Sequence, residues 1–259
     1  MKKLICILIS LLCISCTPKA DYGEPIQAPS FILKNISNYL AYANNHIRYT
    51  EDFTALDENN KVIGKKQFFQ KLINEKFLPL KLQSKKGLYY TLYKIKATGD
   101  EMIPGLIKSM AQLYYSYYKM EGTRLPKYNF KDLNGKIYNP VTTKGKIVVI
   151  KFWYIHCVMC VKEMPALNQM IDQYKNNKDL VFLSLAFDNE EKLKKFLKQR
   201  PFKYAVVPNT EKYADDFGIK SYPTHIILNK NGLISKVLSN SDELAIALKN
   251  EIVLHSNTD

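Results

Sequence analysis

The most informative segment of this chain is Lys151-Phe-Trp-Tyr-Ile-His-Cys157-Val-Met-Cys160-Val-Lys-Glu-Met-Pro165. It begins inside a run of apolar and β-branched residues, 147–153, which predicts a buried β-strand. The strand leads directly into Cys157 and Cys160, and the residues that follow predict a helix. Two thiols at this spacing can form a disulfide and open it again. The free N–H groups and the positive dipole end of the helix favour a thiolate on the first cysteine.

The same cysteine pair also fits one half of a zinc site. A structural zinc site usually needs a second pair of Cys or His residues at ligand spacing. The sequence has no other Cys-x-x-Cys and no His-x-x-x-His motif, and no cysteine lies between Thr17 and His156 or after Cys160. We therefore favour a redox role for the pair over a metal role.

Further residues of the chain match a known family. They are Phe152-Trp153, Cys157, Cys160, Lys162-Glu163, Pro165 and Tyr222-Pro223-Thr224. Together they resemble the thioredoxin-fold thiol–disulfide oxidoreductases, above all the TlpA/ResA-like envelope lipoproteins, from about Tyr128 to the C-terminus. The resemblance implies an α/β, thioredoxin-like fold of the redoxin/TlpA type and an enzyme that reduces protein disulfides.

The first residues predict export from the cytoplasm. Lys2 and Lys3 precede an apolar stretch, residues 4–12, which is too short to span a membrane. We interpret residues 1–15 as a signal peptide. No later run of the sequence is long and apolar enough to be a membrane span.

Ile14-Ser15-Cys16 resembles a bacterial lipobox, with Cys16 as the lipidated residue. The alternative is an ordinary secretory signal without a lipid. Residues 16–30 are polar and contain three prolines, and we interpret them as a lipoprotein tether. With Cys16 lipidated, Cys157 and Cys160 have only each other as disulfide partners, and an oxidising compartment makes their disulfide a working state.

The composition is basic, with 38 Lys and Arg against 24 Asp and Glu and a net charge of +14. A solvated basic surface accounts for this charge, and attraction to anionic lipid head groups or acidic partners is the functional alternative. Nucleic acid is not an expected partner, because the sequence has no recognised binding motif and the leader directs the chain out of the cytoplasm.

Residues 31–125 are predicted to form an N-terminal α+β domain, and the sequence does not indicate its role. Apolar spacing predicts helices over residues 31–49, 65–75 and 101–120, and alternation predicts a hairpin over 53–63 and strands over 77–82 and 87–95. The last helix carries Tyr114, Tyr115, Tyr117 and Tyr118, which cannot all share one helix face. A substrate surface is one interpretation of this cluster, and packing against the next domain is the one we favour.

Residues 126–259 predict the thioredoxin-like domain. An entry hairpin turns at Asn134-Gly135, and the later elements follow the order β-α-β-α-β-α-β-β-α, which fits a thioredoxin sheet with one inserted unit. Pro165 lies within the helix that follows the cysteines, so we expect a kink there.

Helix geometry predicts different roles for the two cysteines. Cys157, at the helix N-terminus, is expected to be the nucleophile, and Cys160, one turn later, the buried resolving thiol. The resemblance implies that Pro223 is the cis-proline beside the disulfide and that the backbone of Tyr222 docks the substrate chain. An ordinary trans turn is the alternative for Pro223.

Several positions depart from the family pattern. His156 and Met159 replace the usual tryptophan and proline, and a protonated His156 would stabilise the Cys157 thiolate. Lys151 occupies the strand position of the buried acid of thioredoxin. Asp188 matches the place of an acid in ResA-like proteins, so it is expected to accept the proton of Cys160 or to pair with Lys151. Glu163 is expected to be a solvated helix residue.

The sequence therefore predicts a thiol–disulfide oxidoreductase of the envelope without a cofactor. The family resemblance implies that it works as a reductase and receives electrons from a membrane thiol–disulfide reductase. The rival is a copper-binding or copper-delivery module. Its soft ligands would come from His156, Cys157, Met159, Cys160, Met164 and His225. Copper carriers on this fold usually space their cysteines by three residues, which argues against the rival, and a histidine on a strand such as His225 is more often a core residue.

Overall fold

The structure, a computed structural model, describes residues 21–256. The N-terminal part of this range combines one sheet with packed helices. Its elements are β1 (Tyr22–Pro25), α1 (Pro29–Ile32), α2 (Ile36–His46), β2 (Phe53–Leu56), β3 (Val62–Ile63), α3 (Lys65–Asn74), β4 (Phe77–Ser84), β5 (Leu88–Lys94) and α4 (Met102–Met120). The sheet order is β1-β4-β5-β2-β3, and its core includes Tyr42, Phe68, Tyr90 and Ile107. The predicted N-terminal α+β fold is confirmed.

The helix predicted over residues 31–49 is two helices. Asn35 lies between α1 and α2 with an extended backbone, and its side chain accepts a hydrogen bond from the Asn38 N–H at 2.9 Å. This is the geometry of an N-cap, which starts a new helix while the apolar spacing continues across the break.

The tether predicted for residues 16–30 is wrong over its described part. Tyr22–Pro25 forms strand β1 at the edge of the sheet, pairing with β4 through Tyr22 opposite Ser84 and Pro25 opposite Leu82. An edge strand tolerates proline, which is why a polar, proline-bearing segment can still be a strand. The predicted signal peptide and Cys16 lie outside the described residues.

The C-terminal part has the predicted thioredoxin-like order of elements. They are β6 (Phe130–Lys131), β7 (Ile137–Tyr138), β8 (Ile147–Trp153), α5 (Val158–Lys162), α6 (Met164–Gln173), β9 (Leu180–Ala186), α7 (Glu190–Gln199), β10 (Ala205–Val207), α8 (Glu211–Phe217), β11 (Thr224–Leu228), β12 (Ile234–Leu238) and α9 (Ser241–Ser256). The expected entry hairpin is β6–β7, and Gly135 in its turn has a φ of 83°. The predicted kink at Pro165 is a full break, since α5 ends and α6 begins on either side of Glu163.

Strand β8 lies at the centre of the second sheet, whose order is β10-β9-β8-β11-β12. All of its residues are buried, and β11 pairs with it antiparallel, placing Thr224 opposite Phe152 and His225 opposite Lys151. Because side chains alternate along a strand, the two pairs lie on opposite faces of the sheet. His225 and Lys151 therefore share the face that carries α6 and α9, and Thr224 lies on the other face.

Helix α4 is shared by both parts of the molecule. Its first half contributes Ile103, Ile107 and Ala111 to the N-terminal core, and its second half contributes Tyr117 to the core of the second sheet. The expected packing of the tyrosine cluster on the next domain is thus observed. The predicted domain boundary at residue 125 follows α4, a helix whose side chains belong to both cores.

No helix within residues 21–256 is long and apolar enough to cross a membrane.

Candidate active site

Cys157 and Cys160 form a disulfide at the start of α5. Cys157 is the N-cap residue, and its Sγ accepts a hydrogen bond from the Cys160 N–H at 3.2 Å. Cys157 is 6% exposed and Cys160 is 0% exposed. Of the two cysteines, only Cys157 keeps some exposed surface, and a backbone donor already points at its sulfur.

The loop before β11 lies beside the disulfide, and we call residues 221–224 the docking loop. The Tyr222–Pro223 peptide bond is cis, as the family resemblance implies. The Tyr222 ring packs edge-on against Phe187 at 5.0 Å and Tyr154 at 5.8 Å, and it contacts the apolar cluster that contains both cysteines. The structure therefore brings Tyr222 and Pro223 to the predicted position.

A cavity of about 540 Å³, which we call the groove, borders the docking loop. Its walls come from three segments: the α5–α6 region, the docking loop and residues 239–242, which we call the β12–α9 turn. Lining residues are Met159, Lys162, Glu163, Ala166, Tyr222, Pro223, Ser239, Asn240, Ser241 and Asp242. A groove of this size, lined in part by Met159 of the helix that begins at the disulfide, can hold part of a substrate chain.

A buried charge cluster lies beneath the groove. The Lys151 ammonium forms an ion pair with the Glu163 carboxylate, and the two side chains are 0% and 9% exposed. Oε1 of Glu163 also lies 2.8 Å from Nε2 of His225, and its Oε2 accepts the Ser241 N–H at 3.1 Å. The expectation that Glu163 is a solvated helix residue is wrong, because α5 stops at this residue and turns it toward β8 and β11.

The protonation states of this cluster follow from burial and charge. Burial alone would raise the pKa of Glu163, but the hydrogen bond from His225 and the Lys151 charge hold that pKa below its ordinary value. Burial lowers the pKa of His225, partly offset by Glu163, and burial likewise lowers the pKa of Lys151. Nδ1 of His225 is buried and has no hydrogen-bond partner among residues 21–256, which fits a neutral ring that donates from Nε2.

Asp188 does not pair with Lys151, which was one of its two expected roles. Its Oδ2 accepts the Ile155 N–H at 2.7 Å, and the partner of Lys151 is Glu163 instead. Asp188 lines a different, open pocket with Tyr154 and Asn189. Its hydrogen bond thus holds the backbone just before the disulfide, and its expected role as the acceptor of the Cys160 proton stays a prediction.

His156 and Met159 are exposed at the start of α5, as surface residues flanking the disulfide. Three of the proposed copper ligands have other partners here. Cys157 and Cys160 are bonded to each other, and His225 is buried against Glu163. In the part of the chain that the structure describes, no three His, Cys, Asp or Glu side chains are placed to hold one metal ion.

Comparison with known proteins identifies the C-terminal part. Residues 122–237 match the AhpC/TSA family. This part of the chain is an AhpC/TSA redoxin domain. Among relatives of the redoxin domain, the thioredoxin-like protein YneN of Bacillus subtilis is 27% identical over 119 residues, which are 45% of this chain and 70% of YneN. The thiol–disulfide oxidoreductase ResA of Bacillus cereus is 29% identical over 119 residues, 45% of this chain and 69% of ResA.

ResA of Bacillus subtilis is similar over a longer stretch, with 27% identity over 158 residues, 59% of this chain and 77% of that protein. A solved thioredoxin domain of a thiol–disulfide oxidoreductase from Bacteroides vulgatus matches with a TM-score of 0.46 and 24% identity, over 50% of this chain and 96% of that one. The family match and the named relatives show that this part of the chain is a thioredoxin-like thiol–disulfide oxidoreductase domain.

Proposed function

We propose that this oxidoreductase reduces disulfide bonds of exported proteins, with Cys157 as the nucleophile and Cys160 as the resolving thiol. The observation that carries the proposal is the unequal placement of the two sulfurs. Cys157 is the accessible N-cap of α5 and Cys160 is fully buried behind it. A thiolate at a helix N-terminus is stabilised by the dipole and the free N–H groups, so the accessible sulfur is also the more reactive one.

Reduction proceeds in two exchanges. The Cys157 thiolate attacks one substrate sulfur, the substrate S–S bond breaks, and its other sulfur leaves as a thiolate that takes a proton from water. Cys160 then loses its proton and attacks Sγ of Cys157, which releases the second substrate thiolate and closes the enzyme disulfide. Two electrons have passed to the substrate, and the dithiol of a membrane thiol–disulfide reductase returns two electrons to the enzyme.

Glu163 is the best acceptor for the Cys160 proton. It follows Cys160 by three residues, and its N–H donates to the Met159 carbonyl at 3.3 Å, so the two side chains are neighbours on one helical turn. Its carboxylate is buried and held ionised. Asp188, the acid expected from sequence, is the alternative acceptor, and its Oδ2 accepts the Ile155 N–H.

The docking loop and the groove receive the substrate chain. Tyr222 packs against the cluster that contains both cysteines, so an extended peptide bound there can pair with its backbone through main-chain hydrogen bonds. Met159, Ala166 and Pro223 give the groove an apolar lining, and Lys162 and Asp242 add opposite charges at its edges. This composition suits a short extended segment next to a substrate cysteine.

Turnover of protein disulfides by cysteine variants tests the proposal. Cys157→Ser should abolish reduction, and Cys160→Ser should leave a slow, trappable adduct, because the second exchange needs Cys160. In the reduced wild type, iodoacetamide should modify Cys157 before Cys160. Faster modification of Cys160 contradicts the assignment, and tight copper binding by the reduced protein that both single variants lose favours the copper module.

We further place the enzyme in the bacterial envelope, on the periplasmic side, anchored by a lipid on Cys16. The leader, the lipobox-like Ile14-Ser15-Cys16 and the basic net charge of +14 support this location. Cys16→Ala should move the protein from the membrane fraction to the soluble envelope fraction. If the variant sediments with membranes as before, the lipid is not the anchor.

A further inference from the structure

Two walls of the groove contact helix α4, which begins in the N-terminal core. One wall is the docking loop and the other is the β12–α9 turn. Each is hydrogen-bonded to a tyrosine in the second half of α4, through Tyr117 and Tyr114 respectively. The third wall, from α5 and α6, carries the disulfide itself.

Tyr117 supports the docking loop through the Thr224 hydroxyl, which takes part in two hydrogen bonds. Oγ1 of Thr224 donates to the Ser221 carbonyl at 2.6 Å, and it lies 3.1 Å from the Tyr117 hydroxyl. A threonine hydroxyl has a single proton, so Tyr117 is the donor to Thr224. Thr224 follows Pro223 directly and is 0% exposed, and Tyr117 is 3% exposed. The residue that directly follows the cis-proline is therefore hydrogen-bonded to a side chain of α4.

Tyr114 supports the opposite wall. Its hydroxyl donates to Oε1 of Glu243 at 3.0 Å and lies 3.0 Å from Oγ of Ser239. Oε2 of Glu243 accepts the Ser239 N–H at 2.9 Å, which fixes the start of the β12–α9 turn. Within the same turn, the Ser241 N–H donates to Glu163. Contacts thus run from α4 through the turn to the buried charge cluster.

The first half of α4 anchors these tyrosines. Ile107 and Ala111 are buried in the N-terminal core, and the Tyr114 ring packs edge-on against Tyr49 of that core at 5.4 Å. A helix fixed at one end in a packed core is a stiff support for loops at its other end, because protein interiors are close-packed.

We propose that Tyr114 and Tyr117 are positioning residues through which the N-terminal domain sets the shape of the groove and thereby the reactivity of the enzyme toward protein disulfides. The inference rests on the proposed function, since it takes the groove as the binding place of the substrate chain. Neither tyrosine enters the chemistry of exchange. A small disulfide needs only the Cys157 sulfur, whereas a protein must also align its backbone along the docking loop.

The test compares two substrates, oxidised insulin and 5,5′-dithiobis(2-nitrobenzoate), with the full chain. Tyr117→Phe and Tyr114→Phe remove one hydroxyl each. We expect the ratio of kcat/KM for insulin to kcat/KM for the small disulfide to fall about tenfold in Tyr117→Phe, equivalent to about 1.4 kcal/mol, mainly through KM. The double variant should lose more than either single variant.

Tyr118→Phe is the matched control, since Tyr118 lies on the same helix, is 38% exposed and stacks on Tyr115. Its substrate ratio should stay within about twofold of the wild type, a difference below ~0.5 kcal/mol. A double-mutant cycle adds Thr224→Val, in which Tyr117→Phe should have little further effect on the ratio, because the shared hydrogen bond is already lost.

The outcomes separate the two proposals. If the wild type reduces both substrates and the tyrosine variants keep its ratio, the positioning role is overturned and the proposed function stands. The same conclusion follows if both activities fall equally together with the melting temperature, or if Tyr117→Phe and Thr224→Val act additively. If the wild type reduces neither substrate, the proposed function is wrong, and this inference, which depends on it, is wrong as well.

Discussion

Glu163 binds three donors at once: the Lys151 ammonium, the His225 ring and the Ser241 N–H. Removing a carboxylate and an ammonium from water costs several kcal/mol each, and only a well-bonded pair offsets this. The cross-strand pairing of His225 with Lys151 supplies that arrangement, because it places both side chains on one face at the point where α5 ends.

Glu163→Gln tests the proton acceptor. The variant keeps the shape of the side chain and loses its basicity, so the attack of Cys160 on the mixed disulfide should slow. General base catalysis typically contributes about 10²–10⁴-fold. Because Lys151 and His225 lower the pKa of Glu163, the carboxylate is a weak base, and we expect a slowing of only about tenfold, below that range.

The decay of the mixed disulfide with oxidised insulin, followed by rapid mixing and acid quench, measures this rate. Asp188→Asn is the informative comparison. If the Asp188 variant slows the resolving step more than Glu163→Gln does, the sequence-based assignment of the acceptor to Asp188 was right and ours is wrong.

Lys151→Met should change the pH dependence of the same step. The acceptor must be ionised, so the rate falls as the pH drops through the pKa of Glu163. In the wild type the charge of Lys151 helps to hold that pKa below its ordinary value, and its removal should raise the pKa. The acid limb of the pH–rate profile should therefore move to higher pH. Lys175→Met, at an exposed site, is the control, and an unmoved acid limb in Lys151→Met argues against Glu163 as the base.

This cluster could not be predicted from the sequence, although one signal was present. Lys151 stands in a strand that is otherwise apolar, and a buried lysine needs a buried acid. Which acid it takes depends on where α5 breaks and on the register of β11 against β8, and neither follows from local spacing. Asp188 has the matching sequence position but bonds to the backbone instead.

At the scale of elements, the start of α5 determines the redox properties of the pair. Met159 replaces a proline, so its backbone N–H remains available in the first turn, and the Cys160 N–H already bonds to the Cys157 sulfur. His156, exposed next to Cys157, adds a cation when protonated. Both features favour the thiolate and hence the reduced form of the pair.

Replacing these residues should make the pair more reducing. We expect His156→Trp with Met159→Pro to raise the pKa of Cys157 and to lower the potential by about 30–60 mV, because about 30 mV corresponds to one pKa unit in a two-electron couple. Thiolate absorbance against pH and equilibration with glutathione measure the two quantities. An unchanged pKa with an unchanged potential would show that neither residue tunes the pair.

Elements with strong apolar periodicity were predictable, including β8, β9 and α7. The features that the sequence did not predict have physical causes. Strand β1 is polar and contains Pro25, which an edge strand tolerates but a sequence pattern assigns to a linker. Helix α4 and the packing of its tyrosine cluster on the next domain were both predicted, but helical spacing does not specify which tyrosine enters the second core, and the structure shows that Tyr117 does.

At the scale of the whole molecule, buried His225 makes stability depend on pH. Burial lowers its folded pKa, so below about pH 6.5 the unfolded chain binds a proton that the folded chain does not. The contribution of neutral His225 to the free energy of unfolding is fully present above about pH 6.5. It is lost as the pH falls below that value, by up to about 1.4 kcal/mol per pH unit. Glu163, with its lowered folded pKa, adds a similar loss below about pH 4.5.

His225→Gln should flatten this dependence between about pH 6.5 and 5. Urea unfolding at a series of pH values measures the free energy of unfolding. His46 provides the control, because its pKa is also lowered by burial but its side chain is only half-buried, so His46→Gln should change the slope less. Equal slopes in the wild type and His225→Gln would mean that His225 does not stay neutral.

The central claim, that Cys157 is the sulfur that joins the enzyme to its protein substrates, is tested most directly by trapping. Cys160→Ala is expressed in the native host in place of the wild type, thiols are quenched with acid and alkylated, and adducts are mapped by mass spectrometry. We expect mixed disulfides through Cys157 to exported proteins, and none in the Cys157→Ala, Cys160→Ala double variant. Adducts that persist in the double variant, or no adducts in Cys160→Ala, would contradict it.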